Sequence, residues 1–145
     1  MSADAKNSSI VVDLERCTGC WTCAFSCKFG HGLPDDTWKI AVRTLGSGEG
    51  IDKPAGTWPN LHMEWMPVWL GSCLRCGARA CSESYPEPYC VHNCPTHALS
   101  FGDPDDPDTP AGAAVASARA AERRIFKLPE YEGSREDVTY LNRRR

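Results

Sequence analysis

Nine cysteines carry the most evident chemistry in this chain, and eight of them form two runs. The first run has the spacing C-x2-C-x2-C-x3-C. The second opens with a C-x2-C pair and closes with C-x3-C-P. The residues are, in order, Cys17, Cys20, Cys23 and Cys27, then Cys73, Cys76, Cys90 and Cys94, with Cys81 inside the second run. Their odd number and two-residue separations disfavour disulfide bonds and favour metal ligation.

The spacing of the first run indicates which metal centre is expected. Its first three thiolates can wrap around one face of an iron–sulfur cluster, each on a different iron. The fourth, Cys27, points away because the chain has turned into a helix by then. In proteins with two such clusters, that fourth cysteine ligates the other cluster. Zinc prefers two separated pairs of ligands, so a zinc-stabilised interaction module is a remote alternative.

The second run has one cysteine too many for four positions. Cys90 precedes Cys94 by four residues, as Cys23 precedes Cys27, and this shared register favours Cys90 over Cys81 as the third ligand. We therefore predict two [4Fe–4S] clusters that exchange their fourth ligands. Cluster 1 takes Cys17, Cys20, Cys23 and Cys94, and cluster 2 takes Cys73, Cys76, Cys90 and Cys27. Such an exchange joins the two halves of the chain and makes metal binding part of the folding energy.

Composition excludes several function classes. The formal net charge of −3 argues against a nucleic-acid binder. No apolar run reaches the roughly 18 residues of a membrane span. Met1 to Ser9 has neither an apolar core nor a twin arginine, so we expect a cytoplasmic protein, or one exported only with a signal-bearing partner. No residue constellation predicts catalysis by the chain itself.

Residue patterns predict mixed secondary structure in a single domain of 145 residues. Gly46–Asn60 is predicted to be a loop, because it is rich in glycine and proline. Thr109 and Pro110 suit the N-cap and first position of a helix. The predicted strands are Ile10–Leu14, Trp38–Leu45, Leu61–Leu70, Ala98–Phe101 and Val138–Leu141, and the predicted helices are Trp21–Phe29 and Ala111–Ile125.

The order of these elements suggests a loosely repeated unit of cysteine loop, short helix and strand. Residues 30–72 form a long insert between the two copies, and residues 109–145 form a C-terminal helix and arm. We therefore expect an α+β, ferredoxin-like fold whose two pseudo-symmetric halves surround the two clusters.

Features around the cysteines resemble a known family over residues 11–141. Asp13 precedes the first run, and Lys28 stands after Cys27 where simple ferredoxins have proline. Gly32-Leu33-Pro34 follows, and the second run closes with Cys90-Val91-His92-Asn93-Cys94-Pro95-Thr96. This pattern resembles the iron–sulfur subunits of molybdopterin oxidoreductases in the dimethyl-sulfoxide-reductase superfamily. Typical members have four cysteine motifs, and this chain resembles a shortened, two-cluster form that keeps the first and the last.

The resemblance implies a non-catalytic electron-transfer subunit. It would relay single electrons to or from a large catalytic subunit that holds molybdenum or tungsten on a bis-pterin cofactor, with a further electron donor or acceptor on the other side. The complex would be of the anaerobic reductase, dehydroxylase or transhydroxylase type. The alternative is a free-standing two-cluster ferredoxin that shuttles between enzymes. The long insert and the C-terminal arm favour docking, because a shuttle needs little beyond its clusters.

Overall fold

The structure, a computed structural model, describes residues 8–45, 54–73, 76, 87–128 and 134–143. Cys81 and most of the predicted loop after Leu45 lie outside the described residues. The strands are β1 Ser9–Asp13, β2 Ile40–Leu45, β3 Ala55–Thr57, β4 Asn60–His62, β5 Glu64–Trp69, β6 Leu99–Gly102, β7 Arg124–Lys127 and β8 Thr139–Asn142. The helices are α1 Thr22–Gly30, α2 Tyr89–His92 and α3 Pro110–Ala120.

A four-stranded sheet in the order β6-β1-β8-β7 forms the centre of the fold. β1 runs antiparallel to β6 and parallel to β8. Because side chains alternate along a strand, β1 contributes to two cores. Ile10 and Val12 face the cysteine-bearing side, whereas Val11 packs with α3. The sheet therefore separates α3 from the cysteine loops.

Helix α3 begins as its sequence predicts. The side chain of Thr109 accepts a hydrogen bond from the backbone N–H of Gly112 at 3.1 Å, and Pro110 occupies the first turn. Ala111, Val115 and Ala118 recur on one face and are buried against the sheet. This hydroxyl cap is the arrangement expected at a helix N-terminus.

Two element predictions are wrong. Helix α3 ends at Ala120 rather than Ile125, and Glu122 adopts a positive φ of 54°. Ile125 and Phe126 then pair with Leu141 and Tyr140 of β8, so sheet pairing overrides the helical preference of this alanine-rich stretch. The predicted loop also contains β3 and part of β4, which form a small antiparallel hairpin.

A second strand pair and two helices complete the cysteine-bearing side. β2 runs antiparallel to β5 with Ile40 opposite Trp69. Helices α1 and α2 approach closely, because a Cβ atom on Gly30 would lie 2.4 Å from the ring of Tyr89. The predicted mixture of helices and strands is thus confirmed. Within the described ranges, none of the helices has the length and apolar character needed to cross a bilayer.

Candidate metal centres

Eight described cysteines line two cavities. The first cavity contains four thiols, three from the first run and one from the end of the second. These are Cys17, Cys20, Cys23 and Cys94, with Gly19, Trp21, Val42, Pro67 and Leu99 among the other lining residues. The second cavity contains Cys27, Cys73, Cys76 and Cys90, with Ile10, Ile40, Trp69, Tyr89 and Arg135 among its lining residues. No disulfide bond joins the described cysteines.

The thiols surround a space and do not converge on a point. Each cavity has a volume of about 20 Å³. Among residues that the structure describes, no three Cys, His, Asp or Glu side chains lie close enough together to bind one metal ion. Four cysteine thiols line each cavity, and four thiolates, one on each iron, are the ligand set that a [4Fe–4S] cluster requires.

The two short helices distribute cysteines between the cavities. On α1, Cys23 lines the first cavity and Cys27 lines the second. A separation of four residues advances a helix by about 6 Å, so one helix can serve both sites. On the other side, Cys90 in α2 lines the second cavity and Cys94, just beyond α2, lines the first.

The loop of the first run depends on a glycine. Gly19 has a positive φ of 69°, and a Cβ atom there would lie 2.4 Å from the indole ring of Trp65. Only glycine combines this backbone conformation with so close an approach. Trp65 on β5 thus packs directly against the loop that presents Cys17 and Cys20.

Thiols of the first cavity have perturbed acidities. Burial raises the pKa of Cys23 to about 12, with neighbouring Cys17 and Cys94 adding to the shift despite a hydrogen bond from the backbone of Ala24. Burial also raises the pKa of Cys17. At Cys20, desolvation is outweighed by hydrogen bonds, chiefly from Thr22, and the pKa is lowered. Metal binding would remove the mutual repulsion of these thiolates.

Hydrogen bonds to the first set come from neutral groups. The backbone N–H of Ala98 donates to the Cys94 sulfur at 3.3 Å. Cys20 Sγ and Thr22 Oγ1 are hydrogen-bonded at 3.2 Å. Cys20 is exposed, so the first cavity reaches the protein surface.

The second cavity is more deeply buried. Desolvation raises the pKa of Cys90 well above its usual value, and the nearby Trp69 indole opposes this shift. His31 Nε2 lies 3.4 Å from the Cys76 sulfur, and burial lowers the pKa of His31. Arg135 Nη1 donates to the Cys73 sulfur at 3.5 Å.

Trp69 provides an independent test of whether a sulfur cluster suits this cavity. The residue is 1% exposed, and its Nε1 makes no hydrogen bond of normal geometry with any described atom. A buried donor without an acceptor is costly. An iron–sulfur cluster ligated by Cys90 would bring sulfur acceptors into the cavity that Trp69 lines, so the residues present fit such a group.

The outer face of α1 carries an aromatic surface, which we define as Trp21, Phe25 and Phe29 together with Trp38. The three residues on or beside α1 are 38%, 44% and 75% exposed, respectively. Phe25 stacks on Phe29 and meets Trp38 edge to face, with ring centroids 5.9 and 5.2 Å apart. This surface begins at the residue next to Cys20.

Two basic residues lie near the sites. The ammonium of Lys28 donates to the carbonyl oxygens of Pro34 and Thr37 and lies 4.5 Å from the ring centroid of Trp38. Sequence reasoning misses Arg135, because no motif surrounds it. Only the nearby Asp137 could have suggested a buried ion pair.

Three curated relatives support the resemblance seen in the sequence. A dimethyl sulfoxide reductase iron–sulfur subunit of Halobacterium salinarum is 31% identical over 144 residues, covering 92% of this chain and 50% of the relative. A sulfite dehydrogenase subunit of Allochromatium vinosum is 27% identical over 143 residues, covering 96% and 45%. The menaquinone reductase iron–sulfur cluster-binding subunit of Nitratidesulfovibrio vulgaris is 27% identical over 132 residues, covering 68% and 48%.

The chain spans about half the length of these relatives. No protein-family model matches it. The relatives confirm the resemblance to iron–sulfur subunits of oxidoreductase complexes.

Proposed function

We propose that the chain holds two [4Fe–4S] clusters and relays single electrons within a larger complex. Its similarity to iron–sulfur subunits of a dimethyl sulfoxide reductase and a menaquinone reductase supports this proposal. The observation that carries the proposal is the sorting of the cysteines into two cavities. Each cavity combines three thiols from one run with one from the other, as the exchanged ligand sets require. Cys90 lies with Cys27, Cys73 and Cys76, which supports it as the third ligand of its run.

When bound, the clusters would supply the redox chemistry, which is the transfer of single electrons. The chain's own residues hold the thiolates, join the two halves and restrict water. Strand pairing supports a ferredoxin-like arrangement of two related halves in one domain. β1, which precedes the first cysteine run, pairs with β6, which follows the second. In the same way, β2, which follows the first run, pairs with β5, which precedes the second.

We propose that the partner is a large catalytic subunit with a molybdenum or tungsten bis-pterin centre, and that a further electron donor or acceptor lies on the other side of the relay. The aromatic surface of α1 supports docking. Exposed aromatic clusters are typical of interface cores. Because this surface adjoins the exposed Cys20, a partner bound there would lie next to the first cluster. The cytoplasm remains the predicted compartment.

Metal analysis of anaerobically purified protein tests the cofactor. We expect about eight iron and about eight acid-labile sulfide per chain, the content of two [4Fe–4S] clusters. Zinc without sulfide would support the interaction module instead.

Co-purification from native cells tests the partner. We expect a large pterin-containing subunit to accompany the chain. A lone species of 15.9 kDa that carries both clusters would favour the free ferredoxin.

A further inference from the structure

Arg135 is a buried cation beside the second cavity. Its side chain is 5% exposed, and its Nη1 donates to the Cys73 sulfur at 3.5 Å. An arginine guanidinium stays protonated in proteins, so Arg135 places a permanent positive charge next to a predicted cluster ligand.

The backbone fixes this side chain from both directions. Ser134 forms an isolated β-bridge with Leu70, and the backbone N–H of Arg135 donates to the carbonyl of Trp69 at 2.8 Å. Two residues later, the carbonyl of Asp137 accepts from the Ser9 hydroxyl at the start of β1. The C-terminal segment is thus attached both to the end of β5 and to the central sheet.

The ion pair with Asp137 leaves Nη1 of Arg135 facing the cavity. Nε donates to Asp137 Oδ1 at 2.8 Å and Nη2 to Oδ2, while Nη1 faces Cys73. A planar guanidinium can hold a carboxylate on one side and another acceptor on the other. The Asp137 side chain is 39% exposed and therefore partly screened by water, whereas the arginine is not.

The first cavity has no comparable feature in the described ranges. There the Cys94 sulfur accepts from the backbone N–H of Ala98, and the Cys20 thiol is hydrogen-bonded to the Thr22 hydroxyl. Both partners are neutral. No described lysine or arginine donates to its thiols. The two predicted clusters therefore have the same ligands but different nearby charge.

We propose that Arg135 makes the second cluster the more easily reduced of the two, so that an electron held by this chain resides mainly there. The inference rests on the proposed function. Reduction adds one negative charge to a cluster and its thiolates, and hydrogen bonds to the sulfurs are among the factors that set cluster potentials. A buried cation bonded to Cys73 stabilises the reduced state more than the oxidised state. Arg135 acts through Cys73 and is a positioning residue.

Redox titration followed by EPR tests this directly. Single variants Cys20→Ser and Cys76→Ser, one from each ligand set, assign the two cluster signals. In Arg135→Gln, we expect the reduced-to-oxidised ratio of the second cluster at a fixed potential to fall about tenfold, which is about 59 mV for one electron. The reduced-to-oxidised ratio of the first cluster should not change. Arg135→Lys keeps the charge but not the planar fork, so its shift should be smaller.

Arg143→Gln is the matched control. Arg143 also pairs with a carboxylate, that of Glu64 at 3.4 Å, but it is 67% exposed and does not line either cavity. Its removal should leave both potentials unchanged. If Arg135→Gln leaves the potential of the second cluster unchanged, or shifts the potentials of both clusters equally, the inference is overturned.

Three further outcomes also test the inference. If Arg135→Gln does not retain iron, Asp137→Asn replaces it: loss of the carboxylate should raise the second cluster's reduced fraction, and an unchanged or lower fraction overturns the inference. Wild-type protein without iron and sulfide overturns the proposed function, and this inference with it. Wild-type protein with both clusters but no Arg135 effect overturns this inference alone.

Discussion

The two cysteine cavities have the same number of thiols and nearly equal size, but their surroundings differ. The first reaches the surface at Cys20, and its thiols have neutral hydrogen-bond partners. The second contains the buried Cys27 and Cys90 and is bordered by the charge of Arg135. Cysteine spacing can therefore define a ligand set, whereas burial and nearby charge must distinguish two sets with identical chemistry.

Removal of all iron should have the largest effect, because it affects both cavities and the core between them. Cys27 and Cys90 belong to the main hydrophobic cluster with Ile10, Trp69 and Tyr140. No disulfide joins the described cysteines of distant segments, and metal binding of this kind contributes directly to folding. We expect an iron chelator under anaerobic conditions to remove most of the far-UV circular dichroism signal. The exposed first cavity should release its iron before the second.

Apo-protein that retains its circular dichroism signal would contradict the structural role of the metal. If the second cavity released its iron first, the first cavity would not be the more accessible of the two. Iron release and sulfide loss, measured in parallel with circular dichroism, separate these results.

Exchange of ligands predicts crossed effects for two single substitutions. Cys94→Ser should abolish the cluster held mainly by the first run, and Cys27→Ser the cluster held mainly by the second. Each variant should lose about half of the iron or fail to assemble, because a cluster needs all four thiolates. EPR of the remaining cluster and iron content are the measurements.

Cys81→Ser is the matched control for this pair. It should retain both clusters, since Cys90 lines the second cavity. Loss of a cluster in Cys81→Ser with retention in Cys90→Ser would show that Cys81 is the ligand. Loss of the local cluster in Cys94→Ser would contradict the exchange.

The division of the cysteines between the two cavities is largely predictable from the sequence, because it depends on their spacing. The four-residue separation of Cys23 and Cys27 recurs between Cys90 and Cys94. Because four residues span about one helical turn, the two cysteines of each pair can line different cavities. The β-branched run of β1 and the hydroxyl cap of α3 are likewise local signals.

The charge of the second cavity could not be predicted in this way. Arg135 is near Cys73 only because the backbone of residues 134 and 135 pairs with Leu70 and Trp69, more than 60 residues earlier in the chain. The prediction for the end of α3 is wrong for a similar reason, since β7 exists only through its pairing with β8. Contacts between distant segments leave no periodic pattern in either stretch.

The aromatic surface allows the first cavity to be tested as the docking side. Phe29→Ala removes a side chain that is 75% exposed, so the stability of the free chain should change little. If the large subunit covers this surface, affinity should fall by more than about 1 kcal/mol, or about fivefold, as for a buried aromatic contact. Pull-down with the tagged large subunit measures it.

Trp58→Ala is the control for docking. Trp58 is 81% exposed but lies in the turn between β3 and β4. Its removal should leave affinity unchanged. A larger loss for Trp58→Ala than for Phe29→Ala would place the partner on the hairpin and contradict docking at the first cavity.

The smallest expected effects come from one neutral donor in each cavity. Thr22→Val removes the hydroxyl bonded to Cys20, and Trp69→Phe removes the indole N–H near Cys90 while keeping an aromatic ring. A neutral hydrogen bond contributes about 1 kcal/mol, so each change should lower the reduced fraction of its own cluster by at most about fivefold. Water can replace the hydroxyl at exposed Cys20 but not the indole N–H at buried Trp69. Trp69→Phe should therefore give the larger shift in an EPR redox titration, and a larger shift for Thr22→Val would show that burial is not what separates the two cavities.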